Sequence, residues 1–202
     1  MNIKKFLGVK GFMPFHEGEA LTKWASLFSK NGPILEIGTY CGKSTLFLSE
    51  GSKKNNQFIY TIDHHSGSEE HQINEEYFDE EIFDRSTNKI NSLPLLIKNI
   101  NLFKAYNIVP IVRESSIAAK DWNTQVSMVF IDGSHSLDSA MQDFKSWNTK
   151  IISGGALVIH DIYENPEEGG QAPYEIFQLA LKSGYELFDR EDTIVCLKKL
   201  IG

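Results

Sequence analysis

The chain has 202 residues, 41% of them hydrophobic and 23% charged, and a formal net charge of −7 at pH 7. This is a globular composition sized for one domain, and its acidic balance provides no basic stripe for nucleic acid or for an anionic membrane surface. Two cysteines, Cys41 and Cys196, are too few for a disulfide framework and lack zinc-ligand spacing, which points to a reducing cytoplasm; no apolar run approaches a membrane span, and MNIKKFLGVKGFM lacks the long apolar core of a signal peptide.

Residues 17–30 place Leu21, Trp24, Ala25, Leu27 and Phe28 at helical spacing, with acids in the first turn and Asn31-Gly32 as the stop. PILEIG (33–38) is a short apolar strand running into a glycine loop, and KSTLFLSEGSK after it is a helix. QFIYTID (57–63) is a second strand, ending in an acid followed by two histidines. Residues 64–89 are polar and irregular, either a solvated surface loop or an active-site lid. LPLLIKNINLFKAY (93–106) is a helix, NIVPIVRESS a third strand and turn, and VSMVFIDGSH (126–135) a fourth strand and its loop. SLDSAMQDFKSWNTKI is a helix, GGALVIHDIY (154–163) a fifth strand and APYEIFQLALKSG a helix. YELFDREDTIVCLKK closes the chain as an antiparallel pair turning at Arg190–Asp192. No repeat or linker divides residues 1–202, so a single domain is expected, with 1–32 as an N-terminal helical appendage. Strands alternating with helices predict an α/β fold: a mostly parallel sheet, helices on both faces and one antiparallel edge strand. Ligands of such sheets sit beyond the carboxyl ends of the strands.

The first strand delivers LEIGTYCGKST (35–45), which looks like a phosphate-gripping P-loop but is one residue short, since only Thr39, Tyr40 and Cys41 separate Gly38 from Gly42-Lys43. With no triphosphate to grip, Lys43 can point to solvent. The dinucleotide pattern fails as well, because Tyr40 stands where its second glycine belongs. Gly38 can take a positive φ and admit a ligand to the backbone, and the helix opening after Gly42 favours an anionic group, with Ser44 or Thr45 within reach. Asp63 ends the second strand 21 residues past Gly42, the spacing of an acid that holds a ribose diol. The pair says nucleoside, with no demand for a triphosphate.

Ser115, after the third strand, is placed either to touch a base edge or to cap the following helix. The fourth strand ends in Asp132-Gly133-Ser134-His135 and the fifth in His160-Asp161. Of the six histidines, His64, His65, His71, His135 and His160 all fall at or just beyond strand ends. Two carboxylates ending neighbouring strands repel unless they share a proton or a cation, and a hard divalent metal is the natural partner.

With YTIDHHSGSEEHQ, VFIDGSHS and GGALVIHD added, LEIGTYCGKST resembles the class I S-adenosylmethionine-dependent methyltransferases. The nearest group holds the macrolide-sugar O-methyltransferases and the cephalosporin-hydroxylase-like proteins, and the resemblance spans about residues 17–200. It implies a Rossmann-like seven-stranded sheet and a cofactor, S-adenosylmethionine, bound by the glycine loop. Glu36, Gly38, Tyr40 and Gly42 would line its amino-acid moiety, with Thr39 and Ser44 in the same loop; Asp63 would hold the ribose and Ser115 would lie near the adenine. Asp132, which also faces the cofactor, and Asp161 match metal-ligand positions, with His160 in a slot that relatives commonly fill with an acid. Magnesium or another divalent ion is implied there, and His135 matches a general base acting beside Asp132.

The expected function is methyl transfer to a hydroxyl of a small molecule. That is an in-line displacement in which the protein positions two reactants and removes water, a divalent ion activates the acceptor oxygen and a histidine takes its proton. The alternatives are a non-catalytic cofactor-binding protein on the same fold, a P-loop enzyme or a nicotinamide enzyme. The N-terminal helix is available to cover the site or to pair with a second copy, so a homo-oligomer stays open.

Overall fold

A computed structural model describes residues 2–67, 78–133 and 136–201. The chain enters through a 3₁₀ turn at Ile3–Phe6, whose Phe6 ring packs edge-on against Phe47 at 5.3 Å and Phe103 at 5.2 Å. Pro14, extended at φ −61° and ψ 152°, sets the start of helix α1 (Phe15–Phe28), slightly earlier than the sequence pattern suggested. Leu21, Trp24, Ala25 and Phe28 form its buried face, as the spacing required.

Strand β1 (Ile34–Ile37) is completely buried and leads through the glycine loop into α2 (Lys43–Ser52) and then β2 (Ile59–Asp63). The polar stretch that follows is not wholly irregular. Phe83–Asp84 (β3) and Lys89–Ile90 (β4) pair as a small antiparallel hairpin before α3 (Leu93–Leu102), with the Phe78 and Phe83 rings 5.4 Å apart. Next come β5 (Ile108–Val112), the short helix α4 (Ser115–Lys120), β6 (Val126–Ile131) and α5 (Leu137–Trp147). Strand β7 (Ile151–Ile159) begins before the glycine pair, because Ile151 already pairs with Val126 across a register shift, and it ends one residue short of His160. Helix α6 (Ala172–Lys182) and strands β8 (Tyr185–Glu191) and β9 (Ile194–Lys199) complete the chain.

The seven long strands form one sheet in the order β5-β2-β1-β6-β7-β9-β8. Pairs from β5 through β7 are parallel, while β9 runs against both β7 and β8. The antiparallel feature expected at one edge is therefore a pair, with the reversed strand β9 tucked inside and β8 at the rim. Burial on both faces explains why β1 and β6 are apolar except for Glu36 and Ser127. Ile34, Met128 and Phe130 face α1, α2 and α3 through Trp24, Phe47 and Leu96. Leu35, Val129 and Ile131 face the other layer through Phe144, Trp147 and Ile176 of α5 and α6.

Helices α1 and α2 meet at small residues. Thr22 Oγ1 donates to the carbonyls of Gly18 (2.9 Å) and Phe47 (3.1 Å). A Cβ on Gly51 would overlap the Thr22 carbonyl and sit 2.8 Å from the Ala25 methyl. No helix among the described residues is long and apolar enough to cross a membrane.

Gly51→Ala should push α1 off α2 and destabilise the fold by about 1–3 kcal/mol, the usual range for overpacking a tight contact. Urea unfolding of the two proteins measures the difference, and equal midpoints would show that the helices slide apart without cost.

Candidate active site

The loop after β1 is built around two carboxylates. Asp63 Oδ2 accepts the backbone N–H groups of Thr39 (3.0 Å) and Tyr40 (2.8 Å), and its Oδ1 accepts that of His65 (2.7 Å). The donors that would cradle a phosphate in a P-loop are thus already taken by the protein's own acid. Gly38 has φ +87°, and a Cβ there would overlap the Asp132 carbonyl, so the close approach of the β1 and β6 loops depends on glycine as much as the dihedral does. Tyr40 holds φ +48° between them, its hydroxyl donating to Asp79 at 2.7 Å.

Glu36 lies behind this loop rather than in it. Its side chain is fully buried, taking Ser44 Oγ at 2.7 Å on one oxygen and Thr45 Oγ1 and Thr61 Oγ1, each at 2.6 Å, on the other. Thr39 Oγ1 joins the same cluster through Thr61. Burial raises the Glu36 pKa to about 7 against the pull of those hydroxyls, and the nearby Asp132 adds to the rise. Gly42, at φ +89°, also sits behind the surface, packed so that a Cβ would meet Leu96. Of the loop residues expected to line the cofactor, Gly38, Thr39, Tyr40 and Ser44 face the open cavity, and Glu36 and Gly42 do not.

A second cluster gathers where β6 and β7 end. His160 follows β7 directly; its ring is buried, with Nδ1 2.9 Å from Asp132 Oδ1 and 3.4 Å from Asp161 Oδ2. Its Nε2 lies 2.8 Å from Glu17 Oε2, and the other Glu17 oxygen accepts the Thr193 amide (2.8 Å) and hydroxyl (2.7 Å). Burial opposes a charge on the imidazole, but Asp132, Asp161 and Glu17 outweigh it and hold its pKa well above the ordinary value. Burial likewise opposes charge on Glu17, yet His160 and Thr193 keep its pKa below the usual carboxylate range. Both ring nitrogens donate in that state, so His160 has no lone pair with which to act as a base.

The same donors fit a divalent cation. One ligand atom each from Asp132, His160 and Asp161 lies within 4.8 Å of the others. The Glu17 carboxylate on the far ring nitrogen is the outer partner that histidine-ligated metals usually have. Asp161 stands at φ +58°, a dihedral that turns the chain sharply as it leaves the sheet.

Both clusters open into one cavity of about 690 Å³, which also carries Ser115, His64 and the N-terminal residues Gly11, Phe12, Met13 and Pro14. Lys43 does not point to solvent: its ammonium donates to the Gly11 carbonyl at 3.1 Å and holds that segment across the opening. Lys10 pairs with Asp79, linking the N-terminal segment to the chain before β3. His65 is buried, with Nδ1 2.7 Å from Ser92 Oγ, and does not line the cavity. His71 and His135 lie outside the described residues, and so does much of the expected lid, since 68–77 are not described. Sequence reasoning missed Glu17, which meets His160, and Thr193, which meets Glu17. Glu17 read only as an acid in the first turn of a surface helix, and its full burial was the missing fact.

A protein-family profile described as "Methyltransferase domain" matches residues 35–162. Among solved structures, the O-methyltransferase TomG from Streptomyces achromogenes, involved in tomaymycin synthesis and determined with SAM, superposes with a TM-score of 0.61 at 15% identity, covering 100% of both chains. The O-methyltransferase NovP superposes at 0.66 with 13% identity, covering 92% of this chain and 80% of its own. An rRNA methylase from Streptococcus thermophilus gives 0.58 at 14% identity, covering 95% and 99%. The shared shape thus spans proteins with very different acceptors.

Glu36→Gln tests the buried hub. The folded-state pKa of about 7 exceeds the ordinary 4.5, so the stability tied to the Glu36 proton is fully present below 4.5 and is lost as pH rises through 7. Between about pH 5 and about pH 8 the wild type should lose about 3 kcal/mol more unfolding free energy than Glu36→Gln, whose amide does not titrate. Urea titrations at the two pH values give both slopes, and parallel losses would place the Glu36 pKa near normal.

Proposed function

The chain belongs to the methyltransferase-domain family, the class I S-adenosylmethionine-dependent enzymes, and we propose that it methylates a hydroxyl oxygen of a small molecule. The observation that carries this reading is one cavity with two chemically distinct ends, an amide-clamped Asp63 at β2 and the Asp132–His160–Asp161 group beyond β6 and β7. The first suits a nucleoside diol and the second suits the reacting oxygen. A net charge of −7 and two O-methyltransferases among the similar structures, one of them involved in tomaymycin synthesis, favour a small acceptor over RNA.

S-Adenosylmethionine would lie along the carboxyl ends of β2, β1 and β6. Asp63 keeps unused lone pairs after accepting three amides, and these receive the ribose hydroxyls. Gly38 lets the cofactor reach the backbone, and Thr39, Tyr40 and Ser44 border its amino-acid end. Its sulfonium would be favoured by Asp132 and the acidic neighbours of that residue, which attract a cation. Transfer forms an oxygen–carbon bond as the sulfur–carbon bond breaks in line with it, leaving neutral S-adenosylhomocysteine. The acceptor's proton goes to a base, a role His135 retains from its position after β6 in the sequence. Asp132, Asp161 and Nδ1 of His160 would hold a divalent cation, which supplies Lewis acidity to the acceptor oxygen when bound. Glu17 fixes the imidazole in the orientation this needs. The segment 11–14 borders the cavity, its Phe12 ring 5.6 Å from that of Tyr40.

Calorimetry should show that the protein binds S-adenosylhomocysteine in preference to ATP or NAD, and that Asp63→Ala weakens this by about 1–3 kcal/mol. Tighter binding of ATP would overturn the cofactor reading. Asp132→Asn combined with Asp161→Asn should abolish both manganese binding and methyl transfer while leaving S-adenosylhomocysteine binding within about tenfold of the wild type, a change of about 1.4 kcal/mol or less. Full turnover after exhaustive chelation would remove the metal from the reaction.

A further inference from the structure

The net charge of −7 is an average over an uneven distribution. Residues 1–16, 51–62 and 85–113 contain no aspartate or glutamate, yet they hold ten of the twenty lysines and arginines. The rest of the chain sets ten bases against all 27 acids. Parts of the three stretches meet at one corner of the fold. The Phe6 ring packs on Phe103 at 5.2 Å, and Asn107 Nδ2 donates to Ser52 Oγ (3.0 Å) and to the Gln57 carbonyl (3.1 Å). Lys5 and Lys53 both reach Glu50, at 3.1 and 3.6 Å, so that acid is shared between two cations. Residues 53–57 precede β2 and residues 104–107 precede β5. The corner therefore lies at the amino ends of these parallel strands, away from the cavity at their carboxyl ends.

This corner is both basic and apolar. Lys4, Lys5, Lys54 and Lys104 are exposed. Grouped with them around the Phe6–Phe103 contact are three large apolar side chains that face water: Leu7 is 57% exposed, Leu102 66% and Tyr106 67%. Distance decides whether acids elsewhere cancel the patch. Strand β2 has five residues, or about 17 Å of chain, roughly twice the Debye length at physiological salt. The acids around the cavity are screened from the corner.

We propose that this corner docks the protein on an anionic lipid surface, its lysines meeting the headgroups while Leu7, Leu102 and Tyr106 enter the interface between them. The residue types choose between partners. Protein interfaces are enriched in arginine and depleted in lysine, and nucleic-acid phosphates are gripped best by the arginine fork. The bases here are lysines, whose stems lie along apolar surface while their ammonium groups stay at the headgroups. Leucine and tyrosine beside lysine is a composition that rests at a bilayer interface. Docking by this end turns the cavity mouth toward water, which suits an acceptor arriving from solution.

The test is co-sedimentation of the full chain with vesicles of phosphatidylcholine, either alone or with about one third phosphatidylserine, at physiological salt. The wild type should bind the anionic vesicles at least about tenfold more tightly than the neutral ones and be released by high salt. Lys4→Gln, Lys54→Gln and Lys104→Gln together should weaken binding by about a hundredfold, about fivefold per lysine. Leu102→Ser with Tyr106→Ser should weaken it by about tenfold or more at unchanged charge. All five side chains are exposed, and melting temperatures matching the wild type establish that each variant is folded. Wild-type protein left in the supernatant with anionic vesicles would overturn the proposal. Undiminished binding by Leu102→Ser with Tyr106→Ser would also overturn it, marking the corner as a site for any polyanion. So would a dimer on size exclusion that the lysine substitutions dissolve, which would make the corner a contact between copies of the chain.

Discussion

Three backbone N–H groups, from Thr39, Tyr40 and His65, converge on the Asp63 carboxylate. That convergence fixes the end of β2 against the loop after β1 and gives this end of the cavity its shape. It also explains why a loop so like a P-loop is not one. Anion binding at such a loop needs free amides, and here an acid of the protein occupies two of them permanently. The tight path has a conformational cost in the positive φ angles of Gly38, Tyr40 and Gly42, and burial of Glu36 with its three hydroxyl partners supports the loop from behind.

The reacting end follows a different electrostatic logic. Three acids, Glu17, Asp132 and Asp161, surround one imidazole in a space with little water. Such a group is tolerable only while a positive charge sits among the acids, whether a proton on His160 or a metal ion. A sulfonium arriving nearby therefore meets a site that already favours cations.

Much of this was legible in the residues. Apolar runs at 34–37, 59–63 and 126–131 announced buried parallel strands, and Asp63 and Asp132, which follow or end two of them, line one cavity because strand ends converge on one edge. The partners of those acids were not legible. Glu17 meets Thr193 across 176 residues, and a helix pattern identifies an apolar face without saying which polar residue it carries into the interior. Lys43 looked free because nothing in its own helix needed it, whereas its partner is a carbonyl 32 residues earlier. The β3–β4 hairpin escaped notice because two-residue strands leave no alternating pattern to detect. Ser115 was seen as a choice between base contact and helix cap; it makes no capping bond, and its hydroxyl accepts the Trp147 indole N–H from another helix.

The link between Glu17 and Thr193 ties the first helix to the start of the last strand through His160. A polypeptide emerges from the ribosome in order, so the two halves of the cavity mature at different times. Asp63 can clamp its loop once β1 and β2 exist, well before translation ends. The imidazole cannot be fixed until residue 193 has been synthesised and β9 has slotted between β7 and β8. A nascent chain thus can complete the Asp63 clamp early, while the linkage from Glu17 to Thr193 beside His160 comes last.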